Sequence, residues 1–248
     1  MASEAHFLVL GAGGLGCPAL LGLLAGGARA ITLVDRDRVD ATNLQRQVLY
    51  DRGDVGARKV EAAAAQLRAR ARDLSLRAHE CELDRATLPR LLDAAPPGTV
   101  VLECSDAPDL KFMVNDLCLE RGLSAVIGGV LRWRGQAQAI ARGAACLRCV
   151  YEVPPPAELA EPCAAAGVIG SAAGFFGHLM AHLALQLARD PDAIAGTLLA
   201  LDLLRQQSHR LRPRPRPGCL ACAGHGLAAA GDASPLPSCS SRTISAPS

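Results

Sequence analysis

Three groups of residues in this chain have types and spacings suited to chemistry. The first is Gly11-Ala-Gly13-Gly14-Leu-Gly16, placed directly after the apolar run Phe7-Leu-Val-Leu10. A buried strand, a glycine turn and a helix start make a backbone cradle for a nucleotide phosphate. Glycines there permit positive φ and a close main-chain approach. The N–H groups and dipole of the following helix favour an anion. Asp35 closes the next apolar run, Ala30-Ile-Thr-Leu-Val34, about twenty residues on, where a ribose-binding carboxylate is expected. Taken alone, this pair fits a nicotinamide dinucleotide as well as ATP.

The second group argues for ATP. Asn43 and Arg46 lie in a polar loop, Lys59 on the helix after it, and Asp106 just past a later strand. A triphosphate needs cations for its charge and a carboxylate to hold Mg²⁺, and a dehydrogenase site needs neither. The third group is Cys146-Leu-Arg-Cys149 with Cys219-Leu-Ala-Cys222. Two such hooks supply four thiolates for a tetrahedral Zn²⁺ and leave no open position for water, so the role would be structural. Separate redox pairs or unrelated buried thiols are the alternatives. His178 and His182 stand at i and i+4 of a helical run without the glutamate of the zinc-protease motif, and read as part of a half-buried helix face.

The elements that must position these groups follow from periodicity. A helix runs from the glycine turn to about Gly26. A second covers about 57–70, with Val60, Ala64 and Leu67 on one face, and a shorter one lies near Leu88–Leu92. Another starts at Asp109 and stops at Gly122. Residues 99–104, 125–127, 137–140 and 197–201 read as strands, and 167–189 as an apolar helix. Strands alternating with helices predict an α/β fold, a Rossmann-like, mostly parallel sheet covered on both faces. The zinc hooks would pin a C-terminal segment onto it. Residues 1–225 read as this one domain, and 226–248, rich in Ala, Ser and Pro, as a disordered tail.

Composition bounds the function. The 248 residues can bury a sizeable core, and with aromatics at 3% that core must be Ala, Leu and Val. A formal net charge of +2 does not point to nucleic acid. The arginines of His209-Arg-Leu-Arg-Pro-Arg-Pro-Arg216 read as a solvated linker stiffened by proline. No secretory signal or bilayer-spanning run is visible. Ten cysteines in that setting point to the reducing cytoplasm.

From Phe7 to Cys222 the chain resembles the ThiF/MoeB/HesA family, prokaryotic relatives of ubiquitin-activating enzymes. The resemblance rests on the glycine turn with Cys17-Pro18, Asp35, Asp37, Asn43-Leu-Gln-Arg-Gln47, Lys59, Cys104-Ser-Asp106 and Asn115-Asp116. It continues through the two hooks, Pro154-Pro-Pro156, and Cys163 before Gly167-Val-Ile-Gly170. It implies an adenylyltransferase that uses Mg-ATP to activate the C-terminal glycine carboxylate of a ubiquitin-like sulfur carrier ending in Gly-Gly, for thiamine, molybdopterin or another thiolated product. The nucleotide-binding set it implies is Gly11, Gly13, Gly14, Gly16, Asp35, Asp37, Thr42, Asn43, Arg46, Lys59 and Asp106.

In those roles Asp35 would hold the ribose, Asn43 and Arg46 the phosphates, and Asp106 the magnesium. Lys59 would stabilise the leaving charge. Gly128-Gly129 and Leu131-Arg-Trp133 would lie toward the carrier's tail. Cys163 would be a covalent acceptor in later transfer, or a small thiol that merely packs. The family also implies a homodimer. Ala107 stands where asparagine is usual, and Lys111 where arginine is common. The first strand is reached by Phe7, too early to supply the family's N-terminal arginine arm. No rhodanese-like domain follows Cys222, so sulfur is expected from a separate donor protein.

Overall fold

Apolar runs that are buried on both sides become the central strands, because only a sheet covered on each face can use them. The structure is a computed structural model that describes residues 5–156 and 167–223. Cys163 and the expected tail lie outside the described residues.

The chain begins β1 (His6–Leu10), α1 (Gly16–Ala25), β2 (Ala30–Val34), α2 (Lys59–Arg70), β3 (Ser75–His79), α3 (Thr87–Asp93), β4 (Val100–Glu103), α4 (Pro108–Arg121), β5 (Ser124–Leu131). It continues with β6 (Arg134–Ile140), α5 (Leu147–Val150), α6 (Gly170–Arg189), α7 (Pro191–Ile194), β7 (Leu198–Asp202) and β8 (Gln207–Leu211). One sheet takes the order β3-β2-β1-β4-β5-β6-β7-β8. From β3 to β5 every neighbour is parallel, and from β5 to β8 every neighbour is antiparallel. The order reverses at β1, whose neighbours are β2 and β4. A crevice opens at such a switch point, beyond the carboxyl ends of the strands.

Both faces of the parallel half are covered. One buried cluster joins α1, α2 and α6 to the sheet through Phe7, Leu20, Leu33, Ala63, Phe176 and Met180. The other joins α3, α4 and α5 through Leu8, Leu88, Val114, Ile127 and Leu147. The predicted face of α2, with Val60, Ala64 and Leu67, is buried. Gly122 ends α4 at φ 68°, as the reading of that helix required.

Two strands escaped the sequence reading. Ser75-Leu-Arg-Ala-His79 has one buried residue, because β3 is an edge strand. The segment read as a linker is partly a strand: Gln207–Leu211 is β8, which pairs antiparallel with β7. All five of its side chains are exposed, so no apolar alternation marked it. The mostly parallel sheet therefore carries an antiparallel extension at one edge. No helix among the described residues is long and apolar enough to cross a membrane.

Candidate active site

The crevice at the switch point holds a cavity of about 400 Å³. Each of its walls is the end of an element. Gly11 follows β1 and turns at φ +97°, a conformation that L side chains rarely adopt. A Cβ on Gly16 would sit 1.9 Å from the Gly11 carbonyl oxygen, so α1 can begin this close to β1 only with glycine there. Gly13, Gly14 and Leu15 line the cavity, and their N–H groups donate to no protein acceptor among the described residues. Free N–H groups at the start of a helix are what an anion cradle requires.

Asp35 follows β2 and holds the cradle in shape. Its Oδ2 accepts the Ala12 N–H at 2.6 Å, and its Oδ1 accepts the Asp37 N–H at 2.7 Å. Burial pushes its carboxyl above the usual carboxylate range, against the pull of Lys59 and of those two N–H donors. Beneath it, the Tyr50 hydroxyl donates to the Ala12 carbonyl at 2.9 Å. Burial raises the Tyr50 hydroxyl well above its ordinary value, so it remains a donor.

The cations come from the loop and helix after β2. Lys59 opens α2 and is 5% exposed, with its Nζ donating to Asp37 Oδ2 at 2.8 Å. The stem of Arg46 lies over Gly14, where an added Cβ would come within 3.3 Å of Arg46 Cδ. Among the described residues its guanidinium has no ion pair or hydrogen bond. Asn43 lines the same wall. Opposite, past the end of β4, stand Ser105 and the exposed carboxylate of Asp106. Arg46, Lys59 and Asp106, expected from separate segments, thus line one cavity with Asp35, Asp37, Asn43, Gly11, Gly13 and Gly14.

Two expected members do not line it. Gly16 acts one layer below, in packing. Thr42 is exposed, and its hydroxyl and N–H both donate to Asp40 Oδ1, at 2.6 and 2.7 Å, as the cap of a 3-10 turn. Other lining residues carried no role in the reading. Gln47 is 3% exposed, and its Oε1 is buried without a partner. Glu103, Lys111 and Ser105 form a network at the end of β4. In sequence its buried member shows only as an acid closing a run of apolar residues.

A second hollow of about 600 Å³ lies on the antiparallel extension, between β5 and β8. It shares Gly129 and Val130 with the switch-point cavity, and Leu131, Arg134 and His209 also line it.

The cysteine hooks meet. Cys146 Sγ lies 3.9 Å from Cys149 and 3.7 Å from Cys219, and Cys149 Sγ lies 3.4 Å from Cys222. All four sulfurs lie within 4.8 Å of one another, a group that could hold a metal ion. A zinc bound by four thiolates at about 2.3 Å sets the sulfurs about 3.8 Å apart, so the donor set fits. The Arg216 N–H donates to Cys149 Sγ at 3.3 Å. Asn115 and Asp116 support the first hook from α4. Asn115 Oδ1 accepts the Leu147 N–H at 2.9 Å, and Asp116 binds Arg148 at 2.7 and 2.8 Å. His178 and His182 are exposed and belong to no such group among the described residues.

The model of the ThiF family matches residues 2–221. This chain belongs to the ThiF family. Among its ThiF relatives, "Adenylyltransferase and sulfurtransferase MOCS3" of Sus scrofa is 38% identical over 223 residues, which is 89% of this chain and 48% of that one. "SAMP-activating enzyme E1" of Haloferax volcanii is 32% identical over 237 residues, covering 95% of this chain and 87% of that one. The chain spans about half the length of the MOCS3 relatives it matches. The ThiF fold is also that of E. coli MccB. A crystal structure of MccB with ATP superposes with a TM-score of 0.74 at 19% identity, over 89% of this chain and 68% of that one.

Proposed function

We propose that residues 1–225 form an adenylation domain that uses ATP to activate the C-terminal glycine carboxylate of a ubiquitin-like sulfur-carrier protein. The observation that carries this reading is the convergence of Arg46, Lys59 and Asp106 on the cavity bounded by the glycine turn. The names of the relatives agree with it.

In this reading the carrier's carboxylate oxygen bonds to the α-phosphorus of ATP. The bond from that phosphorus to the bridging oxygen breaks, and pyrophosphate leaves with its electron pair. The products are an acyl-adenylate and pyrophosphate. The N–H groups of Gly13, Gly14 and Leu15 and the start of α1 favour the phosphates. Asp35 meets the ribose with the lone pairs its two backbone bonds leave over. Arg46 and Asn43 orient the phosphates, and Lys59 offsets charge on the departing pyrophosphate. Asp106 would hold Mg²⁺, which supplies further neutralisation when bound. Little covalent help is asked of the protein, since positioning and charge supply the rate.

The carrier's Gly-Gly tail would enter past Gly129, where the second hollow joins the nucleotide cavity. Cys146, Cys149, Cys219 and Cys222 would hold a structural Zn²⁺. Cys163, a homodimer, a separate sulfur donor and a cytoplasmic setting complete the reading, and each rests on the family resemblance or on cysteine usage.

Carrier-dependent exchange of labelled pyrophosphate into ATP tests the function. The wild-type chain should exchange with a glycine-tailed carrier and Mg²⁺. Asp106→Ala should lose at least ~10²-fold in exchange rate with unchanged melting, because Asp106 is exposed and supports no packing. Full exchange by that variant would remove Asp106 from the site. ATP binding without exchange by the wild type would point to a carrier-binding scaffold. A nicotinamide difference spectrum without ATP binding would point to a dehydrogenase.

A further inference from the structure

Lys111 lines the nucleotide cavity, yet its ammonium is already fully engaged. Its Nζ donates to Glu103 Oε2 at 2.5 Å, to the Ser105 carbonyl at 2.6 Å and to the Gly128 carbonyl at 2.7 Å. An ammonium has three N–H donors, so none is left for a phosphate. Glu103 is fully buried at the end of β4. Its Oε1 accepts the Ser105 N–H at 2.9 Å and also the Ser105 hydroxyl. Ser105 Oγ then accepts the Ala107 N–H at 3.2 Å.

These bonds span residues 103–107 and fasten that segment to β5. Asp106 sits inside the span. Its own side chain makes no hydrogen bond among the described residues, so it is the held backbone, through the direction of the Cα–Cβ bond, that aims it. A buried ion pair adds little stability over an apolar pair of the same size. Here the pair's other hydrogen bonds go into fixing one turn at the mouth of the cavity.

We propose that Lys111 is a positioning residue: paired with buried Glu103, it clamps the Ser105–Asp106 turn to Gly128 and so presets the Asp106 carboxylate for the divalent cation that accompanies the nucleotide. The proposal rests on the adenylation reading and deepens it. Lys111 and Lys59 line one cavity in different capacities. Lys59 faces the phosphates, and Lys111 holds the turn that carries Asp106.

The test uses the full chain and a paired variant, Glu103→Gln with Lys111→Met. Neutralising both partners avoids stranding a buried charge. ATP affinity is measured calorimetrically with EDTA present, and the Mn²⁺ affinity of the protein–ATP complex by electron paramagnetic resonance. The expected result is metal-free ATP affinity within about twofold of wild type and Mn²⁺ binding weakened at least ~10-fold, because sub-ångström placement of the ligand is lost. Ser105→Ala keeps the charge pair but removes the hydroxyl that ties Glu103 to the Ala107 N–H. It should show the same split at smaller amplitude, and it serves as the reporter if the paired variant melts early.

Wild-type Mn²⁺ affinity in both variants would overturn the proposal. So would a parallel loss of metal-free ATP affinity, which would mean that Lys111 touches the nucleotide. Absence of ATP binding by the wild type is a different result and would overturn the adenylation reading itself.

Discussion

His6 sits at the amino end of β1, at the opposite end of the sheet from the nucleotide cavity. Its Nδ1 and Nε2 each lie 2.9 Å from a threonine hydroxyl, those of Thr99 and Thr32. Thr99 Oγ1 donates to the Pro96 carbonyl at 2.6 Å, so it is left to accept from Nδ1–H while Nε2 accepts from Thr32. Those two bonds satisfy the neutral imidazole. Burial, with Arg77 adding to it, lowers the His6 pKa below its ordinary value. In the unfolded chain His6 takes up a proton near pH 6.5, whereas in the fold it does so only at lower pH. The unfolded state therefore binds more protons between those two values, and stability is lost as pH falls through that window. The stability of the wild type to urea should fall from pH 7.5 toward pH 5, and that of His6→Gln should fall less steeply. Burial also lowers His79, so some slope should remain in the variant. Equal slopes in the two proteins would dismiss His6 as a contributor.

At the scale of elements, the join between β1 and α1 is the tightest packing at the site. Gly11 and Gly16 bring a strand end and a helix start within reach of the Cys104 backbone, which an added Cβ on Gly11 would meet at 3.3 Å. At Gly16 the obstacle is backbone and cannot swing aside. Gly16→Ala should cost about 3 kcal/mol or more, with overpacking and displaced backbone as the cause. The measurement is denaturant unfolding beside ATP affinity, and both should fall. Retention of both would mean that α1 can shift away from β1 without harm. Helix α4 links two sites. Its first turn follows Asp106, and its middle holds the first cysteine hook through Asn115 and Asp116. The Asn115-Asp116 pair, which does not line the nucleotide cavity, thus has a structural part at the first hook.

For the molecule as a whole, the hooks join residues 73 positions apart. They fasten the chain beyond β8 to α5 and, through α4, to the parallel half of the sheet. A Cys219→Ser variant should lose bound zinc by elemental analysis. It should also melt at least ~5 °C lower, since 1 kcal/mol moves a domain of this size by about 2–4 °C. Exchange should fall far less than in Asp106→Ala, because among the described residues no sulfur other than that of Cys104 lines the nucleotide cavity. A variant that keeps both its zinc and its melting temperature would make the hooks an unmetallated thiol cluster.

Much of this was legible in the chain. The glycine turn, Asp35 and the cysteine hooks are signals at fixed offsets, and local chemistry sets them: a turn needs positive φ, a strand end presents a carboxylate, and a tight hook presents two thiolates. Apolar runs buried on both faces likewise fixed β1, β2 and β4. Other features depended on neighbours far away in sequence. Edge strands such as β3 and β8 bury too little to leave a pattern, and only pairing with β2 and β7 makes them strands. Thr42 could not be told from Asn43 until the turn showed which one faced the cavity. Glu103 and Lys111 stand eight positions apart in the chain, but the clamp they form is completed by a carbonyl of β5. No reading along one strand supplies an acceptor from the next. Sequence set the local conformations and the chemical inventory, and tertiary packing chose which of those groups share a low-dielectric space.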